Sequence, residues 1–166
     1  PLNSRYMFTF GRDADEFGQV QGLKAELIDT GDGTPKSVGT ILIGSIYSYS
    51  EALDNLKALS LLKVSDEEWR IALPVSVWEW DDSLFYSTWR HTGLQLFSVT
   101  GLAGDSAQLK NAGILMTETA EDNYVNDYGF GRGVLHGDAV FFAHNNAFWS
   151  AFWQAPEQAE GPKVKQ

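Results

Sequence analysis

Alternation of apolar and polar residues marks most of this chain as extended. In "LKAELID", Leu23, Ala25, Leu27 and Asp29 fall on one face and Lys24, Glu26 and Ile28 on the other, the two-residue period of a strand whose faces meet different surroundings. "RYMFTF" (Arg5–Phe10) and "SVGTILIG" (Ser37–Gly44) are short and rich in aromatic and β-branched residues, and turn-forming stretches such as "GRDADEFG" and "TGDGTP" bound them. "WRIALPVSVWEW" from Trp69, "GLQLFSVTG" from Gly93, "AGILMTET" from Ala112, "GVLHGDAVFFAH" from Gly133 and "AFWSAFWQ" from Ala147 are predicted strands on the same grounds. Asn145-Asn146 between the last two predicts a tight hairpin, because asparagine tolerates the left-handed backbone of two-residue turns. Phe141, Phe148 and Trp149 are expected among its packing residues.

Two stretches break the pattern. In "SYSEALDNLKALSLLKV", Leu53, Leu56, Leu59 and Leu62 recur at helical spacing behind Ser50, a potential cap, whereas Ala58–Val64 also suits a buried strand, the reading favoured here. From Ala155 onward "APEQAEGPKVKQ" gains proline, glycine and charge and loses its apolar period. Residues 155–166 are therefore expected to be a tail or linker behind a domain of residues 1–154.

A degenerate repeat organises the strands. "GLKAELIDTGDGTPKSVGTILIG" from Gly22 and "GLQLFSVTGLAGDSAQLKNAGILMTE" from Gly93 both run from Gly-Leu through a strand and a polar loop to a second strand carrying Gly-x-Ile-Leu or Gly-Ile-Leu. The spacing exceeds the roughly 40–50 residues of common propeller blades, but loop insertions lengthen a repeat without altering its sheet. Repetition of a sheet unit favours a propeller over a sandwich.

Charge and composition narrow the partners. Twenty-two acidic against twelve basic residues leave a formal charge of −10, which opposes nucleic acid and anionic membranes. The absence of cysteine excludes disulfides, thiolate metal sites and a cysteine nucleophile together. The longest apolar runs, such as "AVFFA", fall far short of the roughly 20 residues that span a bilayer. No basic-then-apolar leader opens the chain, so the expectation is either that there is no secretion signal or that it lies outside these residues.

Candidate chemistry is sparse. Asp13, Asp15 and Glu16 cluster in a turn where carboxylates cap backbone N–H groups and pair with Arg12; calcium is the alternative, though one short loop supplies too few of the six to eight oxygens it needs. Trp78, Trp80, Asp81, Asp82 and Trp89 combine aromatic platforms and acids over a loop 78–91, a candidate for glycan contact. Adjacent Asp81 and Asp82 point to opposite sides of an extended chain, which argues against a catalytic pair. His91, His136 and His144 form no metal motif, no Gly-x-Ser-x-Gly elbow occurs, and "GFGRG" (Gly129–Gly133) precedes a strand and so is read as a turn.

The stretches "FTFGRDADEFGQVQGLKAELIDTGDGTPKSVGTILIG", "SEALDNLKALSLL", "IALPVSV", "TGLQLFSV" and "RGVLHGDAVFFAH", in this order, resemble the last part of the secreted β-propeller domain family of bacteria and archaea. The resemblance runs from about Arg5 to Trp153 and is most specific at "GRDAD", "SEAL" and "RGVLHGD". Phe141-Phe142 stands where that family commonly carries an aromatic pair ending in tyrosine, a change that keeps the apolar character. It implies a secreted, periplasmic or cell-surface setting and no catalytic set. The expected fold is all-β, a portion of a β-propeller with about ten strands in about two and a half four-stranded antiparallel blades. The expected function is non-catalytic protein assembly with no cofactor, the partner being the remaining blades of the same propeller. The alternative is a carbohydrate-binding β-sandwich or glycan-active module using residues 78–91.

Overall fold

A computed structural model describes residues 1–119 and 130–164. Eleven strands run through the described residues: β1 (Tyr6–Ala14), β2 (Val20–Asp29), β3 (Lys36–Ile43), β4 (Ser60–Lys63), β5 (Glu68–Asp81), β6 (Tyr86–Thr100), β7 (Gln108–Thr119), β8 (Arg132–His136), β9 (Ala139–His144), β10 (Ala147–Phe152) and β11 (Ala155–Val164). They pair antiparallel with their chain neighbours into three sheets: sheet I of β1-β2-β3, sheet II of β4-β5-β6-β7 and sheet III of β8-β9-β10-β11. This is a portion of a propeller, with two complete four-stranded blades and one of three strands. No helix among the described residues is long and apolar enough to cross a membrane.

Sheet II lies between the other two, and the parity of β5 shows how. Ile71, Leu73, Val75 and Val77, with Phe97 and Val99 of β6, share one core with Leu23, Ala25 and Leu27 of sheet I. Ala72, with Leu94, Leu96 and Leu115, shares a second core with Val140, Phe142, Trp149 and Trp153 of sheet III. A strand buried on both faces has no polar side to alternate with, which is why "IALPVSV" is nearly continuous in apolar character. Burying each of these aliphatic side chains contributes about 1.5–3 kcal/mol, so both junctions are hydrophobic in origin.

The repeated sequence unit forms the last two strands of sheets I and II. The β2–β3 register jumps between Leu27↔Gly39 and Ile28↔Ser37, and the β6–β7 register jumps between Leu96↔Gly113 and Phe97↔Asn111, so each copy carries a bulge beside its Gly-Ile-Leu element. The glycines serve close approach of neighbouring sheets. A Cβ at Gly39 would lie 3.1 Å from Leu109 Cβ of sheet II, and one at Gly113 would lie 2.7 Å from Pro156 Cγ of sheet III.

Polar ties reinforce both junctions. Tyr6 Oη donates to Gly104 O at 2.8 Å and Asn3 Nδ2 to Leu102 O at 3.1 Å, linking the start of the chain to the β6–β7 turn. Between sheets II and III, Arg70 Nη1 donates to Gly137 O at 2.7 Å and to Asp138 Oδ1 at 2.8 Å, and its guanidinium lies 4.9 Å from the centre of the Trp153 ring. Glu51 Oε2 accepts from Gly131 N at 3.2 Å and Arg132 Nη1 at 2.5 Å.

Several sequence expectations are corrected. Residues 155–164 are no tail: they form β11, the edge strand of sheet III, so the domain continues past residue 154. An edge strand tolerates Pro156 and Pro162, and its few inward residues erase the apolar period. The stretch 78–91 is no loop, because β5 reaches Asp81 and β6 starts at Tyr86. Asp13 lies in β1, outside the turn that follows. The helical spacing around Leu53 yields two single-turn 3-10 segments, Glu51–Leu53 and Leu56–Ala58, and β4 follows at Ser60. Ser50 does cap the first, its side chain accepting from Ala52 N at 3.2 Å.

The hairpin turn at Asn145-Asn146 forms with φ of 46° and 61°, the left-handed pair its sequence predicts. It sets His144 opposite Ala147 and Phe142 opposite Trp149, so Phe142 and Trp149 point into the core while Phe141 and Phe148 point outward. Phe141 and Phe148 therefore do not pack with Trp149 as expected, since successive strand residues face opposite ways. In "GFGRG", Gly129 lies outside the described residues, as do residues 165 and 166 of the expected tail.

Candidate functional site

The outward face of sheet III is an uncovered apolar surface. Val134 pairs with Phe141, Ala143 with Phe148 and Ala139 with Phe152, which puts these side chains on the face away from sheet II. Val134, Phe141, Phe148 and Phe152 are between 42% and 71% exposed, far above the fully buried Val140 and Phe142 that alternate with them. Ala139, Phe141 and Phe152 line a shallow groove on this face, with Ser150 and Glu160 beside them. The three phenylalanines carry a row of contiguous apolar area, the kind of surface that marks an interaction site.

The outward face of sheet I differs. Thr9, Glu26 and Thr40 cross its centre in register, and Lys24 lies 3.5 Å from Asp13 and 3.9 Å from Glu26. Met7 and Leu42 add apolar area around this polar centre. The two ends of the stack are thus chemically unequal.

The second surface is the β5–β6 hairpin, which turns at residues 82–85. Trp78 pairs with Trp89 and Trp80 with Ser87, so all three indoles share one face, and the Tyr47 ring centre lies 6.0 Å from that of Trp78. Tyr47 escapes sequence reasoning because it comes from the segment between β3 and the first 3-10 turn, distant along the chain. The carboxylates are engaged otherwise. Asp82 Oδ1 accepts from Trp80 Nε1 at 2.9 Å, and Asp81 Oδ1 accepts from Ser83 N at 3.0 Å and Ser83 Oγ at 2.6 Å. The bonds from Ser83 hold Asp81 below the usual carboxylate range, with Arg90 adding a smaller effect. Asp81 lies on the face opposite the indoles, toward Arg90 at 3.7 Å. The structure therefore joins Trp78, Trp80 and Trp89 with Asp82 and leaves Asp81 apart.

The acidic turn is tied up in its own backbone. Asp15 Oδ1 accepts from Phe17 N at 3.0 Å and Gln19 N at 2.9 Å, and Oδ2 accepts from Gln21 Nε2 at 2.9 Å. Asp13 faces Lys24, in place of the expected Arg12, and Glu16 is exposed. Among the described residues no group of three or more His, Asp or Glu side chains is placed to hold a metal ion. His91 titrates below its ordinary value because it is partly buried, and the buried His144 ring stacks on Phe142 at 5.4 Å.

Comparison with known proteins agrees with this geometry. The model of the family described as Beta propeller domain matches residues 1–155, which takes in sheets I and II and three strands of sheet III. No curated protein and no solved structure matches the chain. With three stacked antiparallel sheets and a family match along nearly all of its length, the chain belongs to the beta propeller domain family.

Proposed function

We propose that this chain is a non-catalytic assembly segment of an extracytoplasmic β-propeller, and that the outward face of sheet III receives a blade from the rest of the same propeller. Three sheets are fewer than the four or so with which a propeller closes, so other blades complete the ring. The observation that carries the proposal is the exposed row Phe141, Phe148 and Phe152, set against a sheet II that the same packing covers on both sides. A chain of net charge −10 without cysteine recruits a protein face more readily than nucleic acid. The extracytoplasmic setting rests on the family resemblance alone.

The test is intact-mass analysis of the native assembly purified through a tagged chain. The expected result is an assembly with further propeller blades that dissociates when Phe148→Ser and Phe152→Ser are combined and persists with Trp80→Ala. A tagged chain that purifies as a single 18.4 kDa species contradicts the proposal.

A second reading is favoured by the shared face of Trp78, Trp80 and Trp89 beside Tyr47: aromatic platforms of this kind stack on sugar rings, with Asp82 holding the Trp80 indole through its Nε1. Titration with soluble glucan and xylan oligosaccharides, read by tryptophan fluorescence, tests it. Saturable quenching lost in Trp80→Ala supports glycan contact, and an unchanged spectrum at millimolar sugar removes it.

A further inference from the structure

The turn of the β5–β6 hairpin carries a residue its backbone disfavours. Phe85 sits at φ 56°, in the left-handed region that strains a bulky side chain, whereas the other non-glycine left-handed positions among the described residues, Asn145 and Asn146, carry the residue type that tolerates it. Local bonds impose the conformation: Asp81 O accepts from Leu84 N at 3.2 Å and from Phe85 N at 2.8 Å, and Asp81 Oδ1 accepts from Ser83 N at 3.0 Å. The ring gains little packing within the chain to offset the strain, because Phe85 is 80% exposed. Glycine or asparagine would suit the turn better, so an aromatic side chain there points to a role outside the fold.

The ring has apolar company. Leu84, Tyr86 and Trp80 are exposed beside it along the chain and across the hairpin. Sheet II lies between sheets I and III, so blades added at either end of the stack lie beyond those two sheets and away from this turn. Completion of the ring therefore leaves the tip uncovered.

Charge selects the kind of partner. Glu79, Asp81 and Asp82 stand at the tip against one cation, Arg90, which lies 3.3 Å from Glu79 and 3.7 Å from Asp81. The tip is thus apolar and net negative. Asp82 in the turn and Asp81 just before it make insertion into lipid costly, and Leu84 and Phe85 bring a sugar no hydrogen-bonding side chain. An apolar protein patch rimmed by basic groups complements both features.

We propose that the β5–β6 tip is a docking knob for a second protein, one that presents apolar side chains to Leu84, Phe85 and Tyr86 and lysine or arginine to Glu79 and Asp82. The hydrogen-bonded turn holds the knob in shape before contact, which lowers the entropy lost on binding. The knob is separate from the phenylalanine row of sheet III and from the Trp78–Trp89 pair, so it stands or falls apart from both functional readings.

The probe is a library of phage-displayed twelve-residue peptides, selected on the full chain and counterselected on its Phe85→Asn variant. The expected survivors combine lysine or arginine with leucine, isoleucine or phenylalanine, and their affinity, read by fluorescence anisotropy, falls at least about tenfold when Glu79→Gln and Asp82→Asn are combined. Phe85→Asn itself should melt no lower than wild type, since it relieves strain and removes little packing. No surviving peptide, survivors without cations, or unchanged affinity in the double variant each overturn the proposal. A lower melting temperature for Phe85→Asn does so as well, because it would make Phe85 a packing residue of its own turn. Phe85-dependent binding to phosphatidylcholine vesicles, or to xylan oligosaccharides, would assign the tip to lipid or to sugar and equally overturn it.

Discussion

Phe141 and Phe142 are neighbours in β9 with opposite surroundings, and exchanging each for alanine tests the blade packing at a single residue's resolution. Phe142 is fully buried, stands opposite Trp149 and stacks on the His144 ring at 5.4 Å. Its removal takes away a ring that sheet II presses against and leaves a cavity that Leu94 and Leu96 fill only in part, so Phe142→Ala should cost about 3–5 kcal/mol. Phe141 is 42% exposed on the outward face, where no cavity closes over the deletion, so Phe141→Ala should cost about 1 kcal/mol or less. Urea denaturation at low chain concentration gives both values, with the slope of the transition unchanged. On the thermal scale the first substitution lowers Tm by roughly 6–20 °C and the second by at most a few degrees. Equal losses, or a larger loss at Phe141, would mean that β9 presents the other face to sheet II and that the docking face has been assigned to the wrong side.

Three further outcomes follow from the same contacts. Asp15→Ala removes acceptors for Phe17 N and Gln19 N and should cost about 1 kcal/mol, with calcium leaving the melting temperature of both wild type and variant unchanged; a calcium-dependent rise seen only in the wild type refutes the turn-capping account. Arg132 and the amide of Gly131 hold the Glu51 carboxyl down to about 2 from an ordinary 4.5, so its contribution is complete above pH 4.5 and vanishes as pH falls toward 2. Glu51→Gln should therefore lose less stability than wild type over that window in thermal melts, and parallel curves would show that the bonds from Arg132 and Gly131 to Glu51 do not stabilise the fold. Arg70→Met keeps much of the apolar stem but loses the bonds to Gly137 O and Asp138 and the charge over Trp153; it should cost about 2–3 kcal/mol by urea denaturation, and a value near zero would show that the sheet II–III junction does not depend on it.

What could be read from the chain alone followed the physics of each element. β2 alternates because one face meets a core and the other meets water, and Asn145-Asn146 announces its turn because few other residues accept two successive left-handed positions. The Gly-Ile-Leu repeat was visible because the bulge and close sheet contact demand glycine at Gly39 and again at Gly113. β11 was hidden: as an edge strand it carries prolines, and only Pro156 and a few small residues turn inward. The first residues of β6 were hidden by the charged and aromatic composition of the projecting hairpin. Which of Phe141 and Phe142 faces the core depends on the hairpin register, and composition treats them alike.

The central claim is that the stack ends in a face built to be covered, and sedimentation of the purified chain over a concentration series measures it directly. The account predicts an average mass that rises above 18.4 kDa with concentration, or outright aggregation, and a return to the single-chain mass when Phe148→Ser and Phe152→Ser are combined. A wild-type chain that stays at 18.4 kDa at every concentration and melts in one cooperative transition would contradict it.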